Sequence, residues 1–194
     1  SVRLSYLFEI NNAEYLLDYT VCENGKLTVT ADYTPTGGTE HSLMPKFGFR
    51  VGLKQYSDSI EWYGRGPYEN YPDRKTGAFL GLYKCSVRDF ITDYIAPQDN
   101  ANRSDVRWFV VGGNGNGMKV SSEVPFNFRV WPYTEEELVR SKHPHELNGC
   151  DYLNVNIDYA IHGVGGIDSW GAKTLDKYTV HADVPYHFCF TIEP

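Results

Sequence analysis

Near the C-terminal end, His162-Gly-Val-Gly-Gly-Ile-Asp168-Ser-Trp170-Gly171 sets a carboxylate and a large aromatic two residues apart among glycines. Glycine tolerates positive φ and close backbone approach, so this loop is able to present Trp170 outward instead of burying it. An indole face stacks on the C–H face of a sugar ring, and a carboxylate accepts hydroxyl protons. Trp170 and Asp168 are therefore the candidate substrate-binding residues. The competing reading is a loop whose tryptophan closes the core.

Other constellations are less directed. His143-Pro-His145-Glu146 is a metal candidate, since His-x-His is able to chelate from a strand, but Pro144 intervenes and no third ligand follows at a useful spacing. The alternative is two loop histidines used in packing. Ala96-Pro-Gln-Asp-Asn-Ala-Asn-Arg-Ser-Asp105 is dense in side-chain amides. Asn100, Asn102 and Asp105 suit either turn backbone or sugar hydroxyls, while Arg103 and Arg107 are expected to pair with carboxylates from elsewhere, such as Asp73. Hydrolysis of a glycosidic bond with retention needs two carboxylates roughly 5–5.5 Å apart, and no such pair is singled out by its setting. Gly-x-Ser-x-Gly is absent too. These residues amount to half of a site at most, with no catalytic residue among them.

Glu61-Trp-Tyr-Gly-Arg-Gly-Pro-Tyr-Glu-Asn-Tyr-Pro-Asp-Arg74 is an irregular aromatic segment. Its rings need a neighbour to bury against, while tyrosine and tryptophan keep a polar handle. It reads either as a wall of a carbohydrate site or as a core-capping loop.

The elements that must position these residues are strands. Phe47, Phe49, Val51 and Leu53 alternate with Gly48, Arg50 and Gly52; Leu153, Val155, Ile157 and Tyr159 alternate with Asn154, Asn156 and Asp158; Tyr186, Phe188, Phe190 and Ile192 alternate with His187, Cys189 and Thr191. Period two predicts strands with one face toward a core. Further strands are expected over residues 2–8, 15–21, 27–33, 60–63, 79–83, 106–111, 118–122 and 126–131. Gly112-Gly-Asn-Gly-Asn-Gly117 reads as a hairpin turn, because it lacks the Lys-Ser/Thr ending of a phosphate loop and no helix pattern follows. Thr134-Glu-Glu-Glu137 is a capping box that opens a helix to about Lys142, and Pro144 ends it. Ser86-Val-Arg-Asp89 opens one shorter turn. No linker or repeat divides the 194 residues, so a single all-β domain, a large antiparallel sandwich, is expected over 1–194.

Composition narrows the partners. A net charge of -7 argues against a nucleic-acid surface. No segment approaches the roughly 18 apolar residues of a membrane helix. The four cysteines are far apart and form no Cys-x-x-Cys pair, so neither a zinc site nor a disulfide framework is expected. Ser-Val-Arg-Leu-Ser-Tyr already reads as a strand at the first residue, and a piece of something longer is expected.

Taken in order, Glu61–Arg74, Pro97–Trp108, Pro132–Leu138, Lys142–Leu147 and Gly163–Gly171 resemble the small-chain, C-terminal domain of large bacterial β-galactosidases of glycoside hydrolase family 2. The resemblance spans essentially the whole chain. It implies a β-supersandwich of the galactose mutarotase-like type, and a parent enzyme that hydrolyses terminal β-D-galactosyl bonds with retention. It implies that the acid/base and nucleophile are glutamates on a separate barrel domain, leaving the isolated chain inactive. Mg2+ and Na+ or K+ would then belong mostly to that barrel, with no cofactor in this chain. The implied partners are the barrel domain, a β-galactoside and further copies in a homo-oligomer, in the cytoplasm or periplasm of a bacterium. By motif position, the residue lining the leaving-group side is Trp170. The chain departs from the family's usual pattern at Ile167, where Asp or Asn is common, and at Asp99 and Ala101, where Glu and Gly are. Two rival readings remain: a stand-alone aldose mutarotase-like enzyme using His143 or His145 with Glu146, and a carbohydrate-binding module.

Overall fold

The computed structural model describes residues 1–10, 12–38, 42–54, 58–113 and 116–194. Strands β1 (Val2–Ile10), β2 (Ala13–Val21) and β3 (Leu27–Pro35) form an antiparallel meander. The last strand, β12 (Tyr186–Glu193), pairs with β3 and sets Phe188 opposite Ala31 and Phe190 opposite Val29. A second group comprises β5 (Lys46–Leu53), β6 (Ile60–Gly66), β7 (Phe79–Cys85), β8 (Arg103–Gly113), β9 (Asn116–Trp131) and β10 (Leu153–Ile161). Its spatial order is β5-β10-β9-β8-β6-β7, antiparallel throughout. Two short strands, β4 (Leu43–Met44) and β11 (Val180–His181), pair with each other.

The groups meet through the rings that the alternation put on one face. Phe49 lies against Phe190 at 5.1 Å between centroids, and Phe47 against Tyr186 at 5.3 Å. A second aromatic cluster joins Trp62, Phe90, Phe109 and Phe128, with Phe109 stacked on Phe128 at 4.3 Å. Rings so placed contribute dispersion and quadrupole terms beyond the area they bury.

Residues 118–122 and 126–131, read from sequence as two strands, are one long strand. Within β9, Lys119–Ser121 pair with β12, and Asn127–Trp131 pair with β10. Pro125 lies in the interval, where it donates nothing to a ladder. Ser122 fills part of the gap: its hydroxyl donates to the Cys189 carbonyl (2.7 Å) and accepts from the Val124 amide (3.3 Å). β9 thus passes the chain from one strand group to the other.

β10 departs further from expectation. The alternation sets Asn154, Asn156 and Asp158 on the face opposite the apolar one, yet all three are buried. β10 runs between β5 and β9, and its polar face is covered by other polar groups. Asn154 donates to the Tyr133 carbonyl (2.7 Å), Lys46 donates to Asn156 (2.6 Å) and Arg129 donates to Asp158 (2.8 Å). Gly48 makes room, since a Cβ there would stand 2.4 Å from the Asp158 carboxylate.

Helix α1 (Val87–Phe90) is capped by Ser86, which accepts from the Asp89 amide. Helix α2 (Glu135–Arg140) is capped by Thr134, which accepts from the Glu137 amide, and it ends two residues before the expected Lys142. Only half of the expected capping box forms, because the Glu137 carboxylate turns to Asn148 and Arg140. At the glycine-rich hairpin, Gly112 pairs with Gly117 and Gly113 with Asn116, while 114–115 lie outside the described residues. Among the described residues no helix is long and apolar enough to cross a membrane. All four cysteines are free.

Candidate functional site

The glycine loop begins where β10 ends. The His162 amide donates to the Pro45 carbonyl (2.9 Å) and the Gly163 amide to the Tyr178 carbonyl (2.7 Å). Asp73, from the far end of the aromatic segment, then anchors both feet. Its carboxylate accepts from the Val164 amide (3.2 Å), the Gly165 amide (2.6 Å) and the Thr174 hydroxyl (3.2 Å). Hydrogen bonds to a charged acceptor are the stronger kind, so one side chain replaces the missing ladder partners of the loop. The approach requires glycine at 163, where a Cβ would stand 2.7 Å from the Asp73 carboxylate.

At the tip, Asp168 accepts from the Trp170 amide (2.8 Å) and the Ala172 amide (3.2 Å) through the same oxygen, Oδ1. This is the local side chain-to-backbone turn that aspartate favours. Gly171 follows with φ at 95°. The loop therefore closes by its own hydrogen bonds and leaves the indole outside: Trp170 is 94% exposed. Asp168 and Trp170 share the tip of this loop, with Asp168 committed in part to shaping it.

The other sequence candidates are placed in scaffolding. Trp62 and Tyr71 are buried, and the Trp62 ring nitrogen donates to the Arg65 carbonyl (3.0 Å). Tyr71 donates to Asp99. Glu69 accepts from the Tyr94 hydroxyl, Arg74 (2.5 Å) and the Ala101 amide (2.7 Å). Burial would push the Glu69 carboxyl up, but these donors hold it below its ordinary value. Asn70 and Asn102 exchange bonds: the Asn70 amide donates to the Asn102 carbonyl (2.8 Å), and the Asn102 side chain returns to the Asn70 carbonyl (2.7 Å). Asn100 accepts from the Thr92 amide and donates to the Gln98 carbonyl (2.9 Å). The amides thus satisfy turns.

Two pairings differ from expectation. Arg103 takes no carboxylate among the described residues; it is buried, lies 4.1 Å over the Phe90 ring and 5.3 Å from Trp62, and donates to the Ala101 and Phe90 carbonyls. Arg107 donates to the Asp105 carbonyl. Asp73, the suggested partner of both, is occupied by the glycine loop. Asp105 is taken by Arg65 and Lys75 (3.0 Å) instead. The rings of His143 and His145 stack at 5.5 Å, both exposed, and Glu146 accepts from the Lys142 (2.7 Å) and His143 (3.4 Å) amides. Among the described residues no three metal-ligating side chains converge.

A buried ionic network was missed. Arg129, 1% exposed, reaches Asp99 and Asp158, and Lys46 joins Glu135 and Asn156. Burial works against the Arg129 charge, yet Asp158 and Asp99 outweigh it and hold the guanidinium protonated. The available signal was a charge at position 129, between Phe128 and Val130 in an apolar run, facing a strand with Asn and Asp at alternate positions.

The family model described as "Beta galactosidase small chain" matches residues 2–192. Among curated proteins, the chain is 39% identical to the beta-galactosidase of Halalkalibacterium halodurans over 99% of its length, 36% identical to that of Priestia megaterium over 94%, and 31% identical to that of Streptococcus thermophilus over 100%. It spans only 19%, 18% and 19% of those proteins respectively. The match runs through every motif whose side chains hold the glycine loop in place, from Asp73 to Trp170, and the chain belongs to the beta galactosidase small chain family.

Proposed function

We propose that these 194 residues act as one non-catalytic domain of a bacterial β-galactosidase, completing the leaving-group side of a site whose acid/base and nucleophile lie on another part of the polypeptide. The observation that carries this reading is the exposure of Trp170 on a loop pinned at both feet by Asp73 and at its tip by Asp168. An unpartnered indole on a fixed loop is preorganised for an apolar ring face, and the aglycone sugar supplies one. Asp168 supplies an acceptor beside it. The substrate is a terminal β-galactoside, and the partner is the domain that bears the catalytic carboxylates. Mg2+ and Na+ or K+ would be bound there, as the family resemblance implies; assembly of the whole enzyme as a homo-oligomer fits the same reading.

In the whole polypeptide, Trp170→Ala is expected to raise KM for lactose about three- to tenfold, the loss of roughly one stacking contact. Transfer to glucose should fall in parallel. Unchanged kinetics with both lactose and an aryl galactoside would remove Trp170 from the site, and turnover of a chromogenic galactoside by the 194-residue chain alone would overturn the non-catalytic role.

A further inference from the structure

Arg129 stands at a branch point. It is buried on β9, and its two terminal nitrogens diverge: Nη2 donates to Asp158 (2.8 Å) and Nη1 donates to Asp99. Each arm leads toward the glycine loop. Asp158 belongs to β10, which passes through a shift in register after Asp158 and runs on to Ile161, the residue before the loop. Asp99 accepts from the hydroxyl of Tyr71, whose ring is fully buried. Tyr71 in turn opens the turn that holds Asp73, closed by the Arg74 amide on the Tyr71 carbonyl (2.9 Å). Arg74 ties the far end of that turn to Glu69 (2.5 Å) and the Tyr94 hydroxyl (3.0 Å). Asp73 then passes the connection to the amides of Val164 and Gly165.

This chain of contacts is stiff for physical reasons. A guanidinium is a planar fork with fixed donor directions, so it sets its two carboxylates relative to each other as well as neutralising them. The Trp131 ring, 5.1 Å away, stacks on that plane. Charge-assisted bonds are short and strong, and a buried pair is costly to break, so Asp99 has few alternative positions. The hydroxyl of Tyr71 adds direction. A buried ring needs only to be packed, and phenylalanine would fill the same space, whereas the phenol needs an acceptor and finds one in Asp99. The loop has no ladder of its own to hold it. A tilt of the turn at 71–74 would carry the Asp73 carboxylate with it, and the amides of 164 and 165 would follow.

We propose that Tyr71, directed by Asp99 and Arg129, is a positioning residue for Trp170: it fixes the turn that carries Asp73 and so sets where the glycine loop presents the indole. It touches no substrate itself. This role rests on the leaving-group reading of Trp170 given above and extends it into the interior.

The test pairs kinetics with amide hydrogen exchange on the whole polypeptide. Tyr71→Phe keeps the ring and removes only the bond to Asp99. It should raise KM for lactose about two- to threefold with kcat unchanged, a fraction of what one hydrogen bond to a charged group is worth. In a Trp170→Ala background the same change should add nothing, because a residue that acts through the indole loses its effect once the indole is gone. Exchange over 163–175 should quicken about fivefold in Tyr71→Phe, while 128–131 and 155–158 exchange as before. Asp99→Ala should reproduce the faster exchange of the loop, and Asp99→Glu, which restores a carboxylate, should reverse most of it. An equal rise in KM in the two backgrounds, unchanged exchange over 163–175, or exchange quickened uniformly through β9 and β10 would each overturn the proposal. Should Trp170→Ala leave lactose kinetics unchanged, the leaving-group reading fails by itself, while the exchange rates still decide whether Tyr71 holds the loop.

Discussion

Arg103 is a buried guanidinium held by rings and carbonyls, with no carboxylate among the described residues to neutralise it. Burial lowers its pKa to about 10, so it remains charged at neutral pH. A planar, weakly hydrated cation tolerates this place because its faces stack while its edges donate. Lysine has neither the plane nor the fork. Arg103→Lys is therefore expected to cost about 2–3 kcal/mol in urea unfolding, the scale of a buried charge left poorly solvated. Equal stability would show that stacking on Phe90 and Trp62 contributes little. From the sequence, Arg103 lay in a polar run and invited a carboxylate; that its neighbours are rings depends on α1 and β6 reaching it from distant positions.

At the scale of elements, the glycine loop depends on a residue some ninety positions away. Gly163→Ala would drive a methyl group to within 2.7 Å of the Asp73 carboxylate, with Thr174 Oγ1 at 3.0 Å. One of them must move, at a cost of about 1–3 kcal/mol for overpacking. The expected outcome is faster proteolytic cleavage within 163–175 and a rise in KM for lactose resembling that of Trp170→Ala, with the far-ultraviolet spectrum intact. Cleavage at the original rate would mean that Asp73 does not restrain the loop. The glycines and the Asp-x-Trp pair were legible as a display loop; its anchor was not, because period and composition carry no record of which distant side chain meets a backbone. β9 makes the same point. Two strands were expected over 118–122 and 126–131, and only the positions of β10 and β12 decide that one strand continues through Pro125.

Across the whole molecule, several carboxylates are held below their ordinary values by donors they meet only in the fold. For Glu69 burial opposes the shift, and Tyr94, the Ala101 amide and Arg74 prevail; for Asp105 burial likewise opposes it, and Arg65 and Lys75 prevail. A carboxyl with a depressed folded pKa adds stability above its unfolded pKa and loses it as pH falls through the folded one. Thermal stability should thus be flat from neutral pH to about 5 and decline below about 4. Glu69→Gln should lower Tm at neutral pH and make the acid decline shallower; an unchanged slope would exclude Glu69 from the acid limb.

The sequence by itself determined the all-β class, most strand positions, the capped turns and the loop that presents Trp170. Each of these follows from near neighbours: alternation decides which face a side chain takes, and glycine, proline and cap residues decide where a strand or helix stops. It could not determine that Asn154, Asn156 and Asp158 lie inside. Burial of a polar face depends on whether a second layer brings partners, and Arg129, Lys46 and the Tyr133 carbonyl arrive from β9, β5 and the segment before α2. Nor could it place Asp73 beneath the loop. Those pairings join residues far apart in the chain, and a carboxylate's partner is decided by distance in space, which the tertiary structure alone supplies.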